Sequence, residues 1–124
     1  MSSGGLVVLV IDDDAAHGRI VKRQLETYRH MVLLAASPKE AFRMLDDASL
    51  RHPQVIVLDV VLGRESGLVA IADLMARCMA PIVIMSGHFD EDMRQNALLL
   101  GAKAAVAKPL DVEALELLLR KLTI

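Results

Sequence analysis

Tryptophan is absent from the 124 residues, and only one Tyr and two Phe are present. A core must therefore be built from aliphatic side chains and methionine, and a stacking site for a flavin has almost no material. Cys78 is the only cysteine, which excludes an internal disulfide and a cysteine-based metal cage and fits a reducing cytoplasm. The 14 basic and 16 acidic residues are dispersed and leave a net charge of -2. No basic run tracks a phosphate backbone, so direct nucleic-acid binding is not expected. No apolar stretch approaches the roughly 20 residues that cross a bilayer. The run after Met1-Ser-Ser-Gly-Gly is too short for a signal peptide and lacks a basic lead. No membrane association is expected, and the expected location is the cytoplasm.

Apolar residues make up 54% of the chain, enough for one well-filled domain, taken as residues 5–124. Short apolar runs fall at Leu6–Ile11, Met31–Ala36, Val55–Leu58, Ile82–Met85 and Ala104–Ala107. Consecutive apolar positions suit strands buried on both faces of a parallel sheet, although the fifth run is alanine-rich. Helical periodicity lies between them: Ala41, Met44, Leu45 and Ala48 share a stripe, as do Leu115, Leu118, Leu119 and Leu122. Ser37, Pro38 and Glu40 supply an N-cap, a first-turn proline and a capping-box acid. Asp14, Ser66, Asp90 and Asp111 are further N-cap candidates, and Gly101 should close the fourth helix. The pattern is α/β, a doubly wound (βα)5 unit.

Open sheets of this kind bind ligands beyond the carboxyl ends of their strands. The polar residues at those ends are Asp12, Asp13 and Asp14, then Asp59, Ser86 and Lys108. Asp12, Asp13 and Asp59 on neighbouring strands would repel one another unless a cation lies among them, and an oxygen-only donor set suits Mg²⁺. The same cation, with the Lys108 ammonium, would neutralise a phosphoryl group approaching a carboxylate. Ser86 offers a hydroxyl to a phosphoryl oxygen.

These motifs resemble the receiver domains of two-component response regulators. Val8-Leu-Val-Ile-Asp12-Asp13-Asp14 is similar to their acidic opening strand, and Val55-Ile-Val-Leu-Asp59 with Gly67 to their phosphoacceptor strand and loop. Ile82-Val-Ile-Met-Ser86-Gly87 and Lys108-Pro109 match their switch-hydroxyl and lysine–proline motifs, in order and spacing, from about Leu6 onward. The resemblance implies a flavodoxin-like sheet of order 2-1-3-4-5. It implies that Asp59 takes phosphoryl from a sensor histidine kinase or histidine phosphotransfer protein. Asp13, Asp59 and the backbone carbonyl of Val61 would bind Mg²⁺ directly, and Asp12 through a water. Ser86 and Lys108 would grip the phosphoryl oxygens, Pro109 would follow in a cis bond, and Val61 and His88 would tune the lifetime of the phosphoryl group. A chain of this kind catalyses only its own phosphorylation and dephosphorylation, so it is not otherwise an enzyme.

Two positions depart from the family pattern. Gly63 stands where the loop after Asp59 usually has proline, and Ala105 stands where an aromatic usually swings inward. Movement of Ser86 and the Gly87–Asp92 loop, shifting the fourth helix as a body, is the expected substitute. Leu98 or Leu99 and Leu117 would then give the fourth and fifth helices an apolar surface for a homodimer or target protein. Three rival functions are a haloacid-dehalogenase-type phosphatase with Asp12 as nucleophile and Asp14 as acid, a non-phosphorylated receiver-like interaction module, and an electron-transfer flavodoxin, which the shortage of aromatics makes poor. His17, His30, His52 and His88 lack metal-like spacing, and most are expected at the surface. Cys78 is read as a passive helix residue.

Overall fold

The computed structural model describes residues 5–60, 67–87, 90–108 and 110–124. Five parallel strands, β1 (Val7–Ile11), β2 (Met31–Ala35), β3 (Val55–Val60), β4 (Ile82–Ser86) and β5 (Ala104–Ala107), lie in the order β2-β1-β3-β4-β5. Each connection holds one helix: α1 (Ala15–Glu26), α2 (Pro38–Asp46), α3 (Ala70–Arg77) and α4 (Glu91–Leu100), with α5 (Val112–Leu122) following β5.

Side chains alternate across a strand, so the consecutive apolar residues of the central strands feed two cores. Leu9, Ile11, Ile56, Leu58 and Ile84 face α2, α3 and α4 through Ala41, Leu45, Ile71, Leu74, Met93 and Ala97. Val8, Val10, Val57, Val83 and Met85 face α1 and α5 through Val21, Leu25, Leu115 and Leu119. Branched aliphatics therefore fill both layers, as the shortage of aromatics requires. The alanine-rich β5 is a genuine edge strand: its small side chains are only partly buried, so propensity matters less there than pairing with β4.

Local chemistry sets the helix starts. Ser37 accepts from the Glu40 N–H and Asp90 from the Met93 N–H, while Asp111 accepts from the N–H groups of Glu113 and Ala114. The Glu40 carboxylate accepts from the Ala36 N–H, one residue before the cap, rather than from the cap itself. Ser66 lies outside the described residues; α3 is entered through a 3₁₀ turn, Gly67–Val69, without a side-chain cap. The stripe ending at Ala48 overshoots α2. Asp47 takes the Ser49 N–H and hydroxyl onto its carboxylate and turns the chain out of the helix.

Gly101 ends α4 at φ 120°, where a Cβ would lie 2.4 Å from Met75 Sδ. The positive φ is what disfavours a side chain there, since the Met75 thioether could shift aside. Far from the strand ends, His30 is buried rather than at the surface. Its Nδ1 accepts from the Leu6 N–H at 2.9 Å, so the ring hydrogen is on Nε2, which donates to Glu116. Arg120 Nε completes the Glu116 carboxylate at 2.9 Å.

Gly101→Ala should destabilise the fold by about 1–3 kcal/mol, the usual scale for one strained backbone position. Urea unfolding reads this directly, and a change under about 0.5 kcal/mol would contradict the strain argument.

Candidate functional site

The sheet register gathers the strand-end residues. Ile11 pairs with Leu58, so Asp12 and Asp59, each one residue on, end side by side. Ser86 pairs with Val60 on one side and Ala107 on the other, and its carbonyl accepts from the Lys108 N–H at 2.8 Å. Asp12, Asp59, Ser86 and Lys108 therefore share one edge, as expected for the open side of a parallel sheet.

Asp12 is buried. Its Oδ1 accepts from the Asp14 N–H at 2.9 Å, and its Oδ2 meets Nδ1 of His17. Asp59 is only 8% exposed, with Lys108 Nζ 2.7 Å from its Oδ1. The two form an ion pair at the buried strand ends. Burial pushes the Asp59 carboxyl up to about 6; Lys108 opposes the rise and the neighbouring Asp12 reinforces it. Ser86 is buried at the end of β4.

Asp13 is exposed in the turn after β1. It is not among the groups whose donor atoms converge, which are Asp12, His17 and Asp59, all within 4.8 Å of one another. Gly87 is exposed, and a Cβ there would lie 4.0 Å from the Lys108 stem. Ala105 pairs with Ile84 and packs, partly buried, against the core under α4. Val61, Gly63, His88 and Pro109 lie outside the described residues.

His17 is the member that spacing did not suggest. The signal available was Asp14: as N-cap it accepts from the His17 N–H at 3.1 Å, which fixes the first turn of α1. Helical side chains lean toward the N-terminus, and that leaning carries His17 back over Asp12.

The family model of the response regulator receiver domain matches residues 8–120. The chain belongs to the response-regulator receiver family. Among curated relatives, the regulatory protein VirG of Agrobacterium tumefaciens is 35% identical over 106 residues, 85% of this chain and 39% of its own length. The probable transcriptional regulator ycf27 of Cyanophora paradoxa is 31% identical over 93% of this chain and 47% of its length. The receiver thus spans less than half of these relatives. A Burkholderia pseudomallei response regulator, solved with a phosphorylated aspartic acid, calcium ion and citrate, superposes with TM-score 0.80 at 29% identity. That match covers 90% of this chain and 64% of the other. A two-component response regulator from Clostridium difficile gives TM-score 0.85 over 94% of both chains at 24% identity, a likeness of fold. No described helix is long and apolar enough to cross a membrane.

The raised Asp59 pKa has a stability consequence of definite sign. A carboxyl raised from its ordinary 3.8 to about 6 binds its proton more tightly in the folded state. Its ionised form therefore lowers stability above pH 6, and the cost vanishes as pH falls to about 4. In EDTA, Asp59→Asn should be more stable than wild type by about 2–3 kcal/mol at pH 7.5. The difference should shrink between pH 6 and 4. Urea unfolding across this range is the measurement; a pH-independent difference would contradict the burial argument.

Proposed function

We propose that Asp59 is the phosphoacceptor of this receiver, unit 5–124, taking phosphoryl from a phosphohistidine on a sensor kinase or phosphotransfer protein in the cytoplasm. The observation that carries the reading is a buried carboxylate at the strand ends, Asp59, ion-paired at 2.7 Å with the Lys108 ammonium. An Asp59 oxygen forms the new bond to phosphorus as the phosphorus–nitrogen bond breaks, and the departing imidazole keeps the electron pair. Lys108 offsets the charge on the phosphoryl oxygens, with the Ser86 hydroxyl beside it. No other catalysis is assigned to the chain.

The donor chemistry fits a divalent cation, because two buried carboxylates, Asp12 and Asp59, converge at the strand ends. Mg²⁺ would be held by Asp59 and Asp13, with Asp12 acting through water and the Val61 carbonyl as a further ligand. The exposed Asp13 carboxylate would turn inward to join them. The cation supplies charge neutralisation for the incoming phosphoryl group. A phosphatase using Asp12 is disfavoured, since Asp12 is engaged by His17 and the Asp14 N–H, and Asp14 caps α1. A non-phosphorylated module is disfavoured by the apposition of Asp59 and Lys108.

Output would pass through α4. Ala105 has no ring to move, whereas Leu99 is 83% exposed on α4 and Leu117 is 73% exposed on α5. Displacement of the Gly87–Asp92 segment would shift α4 and reshape this apolar surface toward a second copy or a target protein. Sedimentation with and without beryllofluoride, on wild type and on Leu99→Glu, tests the homodimer form. Association of the activated wild type that the variant loses is expected; a monomer in both states removes that form.

Acetyl phosphate with Mg²⁺ should add one hydroxylamine-labile phosphoryl group to wild type and none to Asp59→Asn, as read by intact mass. Equal labelling of the two refutes the assignment. Mg²⁺ should raise the melting temperature by binding only the folded state, and Asp13→Ala should lose most of that gain. Equal gains in both proteins would remove Asp13 from the metal site.

A further inference from the structure

Three hydrogen bonds close a ring between the end of β1 and the first turn of α1. The Asp14 N–H donates to Asp12 Oδ1 at 2.9 Å, and the Asp14 carboxylate accepts from the His17 N–H at 3.1 Å. The His17 ring then returns to Asp12, where Nδ1 meets Oδ2. A carboxylate oxygen accepts, so the ring hydrogen at this contact is on Nδ1. Gly18 makes the approach close: it is buried, and a Cβ there would stand 3.5 Å from Asp12 Cβ and 2.9 Å from Leu34 Cδ1. The Asp12 side chain is 0% exposed and that of His17 is 26% exposed. One donor leaves a carboxylate free to swing about the contact, whereas donors on both oxygens fix its plane. Each Asp12 oxygen still keeps a further acceptor position.

We propose that His17 is a positioning residue for this site: by donating from Nδ1 it holds Asp12 in the orientation that receives the water of a bound cation. The inference rests on the metal-site reading above, in which Asp12 acts through water, and goes beyond it by naming what orients Asp12. The two buried carboxylates have different side-chain partners, Lys108 for Asp59 and His17 for Asp12. His17 need not change its charge, because a neutral ring can already carry the Nδ1 hydrogen. Its place is set locally, since the Asp14 cap puts residue 17 in the first turn of α1. Mg²⁺ keeps several waters in a near-ideal octahedral shell, so a carboxylate that takes one of those waters must point in one direction. Groups that orient a metal site without touching the metal ordinarily contribute a factor of about 10–100 to its affinity.

The test is an Mg²⁺ titration of backbone amide shifts by NMR, which reads folding and binding together, on wild type, His17→Ala, His17→Leu and His17→Asn. Leucine keeps bulk without a donor, and the asparagine amide nitrogen takes the place of Nδ1. The Mg²⁺ dissociation constant should rise about tenfold in His17→Ala and His17→Leu, and most of the loss should be recovered in His17→Asn. In an Asp12→Ala background, His17→Ala should change the constant by less than about twofold, because the effect passes through Asp12. Labelling by acetyl phosphate should be slowed in the same order at limiting Mg²⁺ and approach the wild-type rate at saturation. Ring ¹⁵N shifts of the metal-free wild type should place hydrogen on His17 Nδ1. A constant unchanged in His17→Ala, recovery in His17→Leu, or no recovery in His17→Asn overturns the inference and leaves the acidic site standing. An equal loss with and without Asp12, or a ring hydrogen on Nε2 alone, does the same. Failure of wild type to bind Mg²⁺, or binding unaffected by Asp59→Asn, overturns the metal-site reading and this inference with it.

Discussion

Two carboxylates held out of water at one edge of a parallel sheet are the constraint around which this molecule is arranged. Asp12 and Asp59 are adjacent because β1 and β3 pair in register, and both are buried because helices cover the two faces of the sheet. Such an arrangement is unfavourable unless compensated. Asp12 is compensated by a backbone N–H and an imidazole. Asp59 is compensated by the Lys108 ammonium, which pairs with it at 2.7 Å. The rest of the fold supplies rigidity: a two-layer aliphatic core resists the relaxation that would let these charges separate.

The strand ends are also linked to each other. The Lys108 N–H donates to the Ser86 carbonyl, so the residues beside Asp59 at the strand ends are tied through a backbone bond across β4 and β5. The described part of β5 has small side chains, and Ala105 lies over the core without a ring. Events at Ser86 therefore have a direct backbone neighbour in Lys108, but no large side chain at position 105 through which to travel.

Much of this was legible in the residues, for reasons that can be named. Uninterrupted runs such as Val55–Leu58 read as doubly covered strands, and Ser37, Asp90 and Asp111 read as caps because their hydrogen bonds span only three residues or fewer. Asp59 and Lys108 were visible as strand-end polar residues. Hidden features depend on geometry across distance or on competing local bonds. Asp47 stops α2 before Ala48 by a side-chain turn that outcompetes the apolar stripe. His17 reaches Asp12 across a strand-to-helix turn, so no periodicity links them. Asp13 reads as equal to Asp12, yet alternation after the strand turns one inward and leaves the other in solvent.

The buried histidine at the far end of the sheet ties together positions 86 apart in the chain, 30 and 116. Changing either alone strands a polar group inside the protein: the Leu6 N–H loses its acceptor, or the ring loses the partner for its Nε2 hydrogen. Exchanging both for apolar residues removes the facing ring and carboxylate together, but still leaves the Leu6 N–H without its acceptor. The energies of substitutions at 30 and 116 are therefore coupled, so the effect of a change at one position depends on the residue at the other.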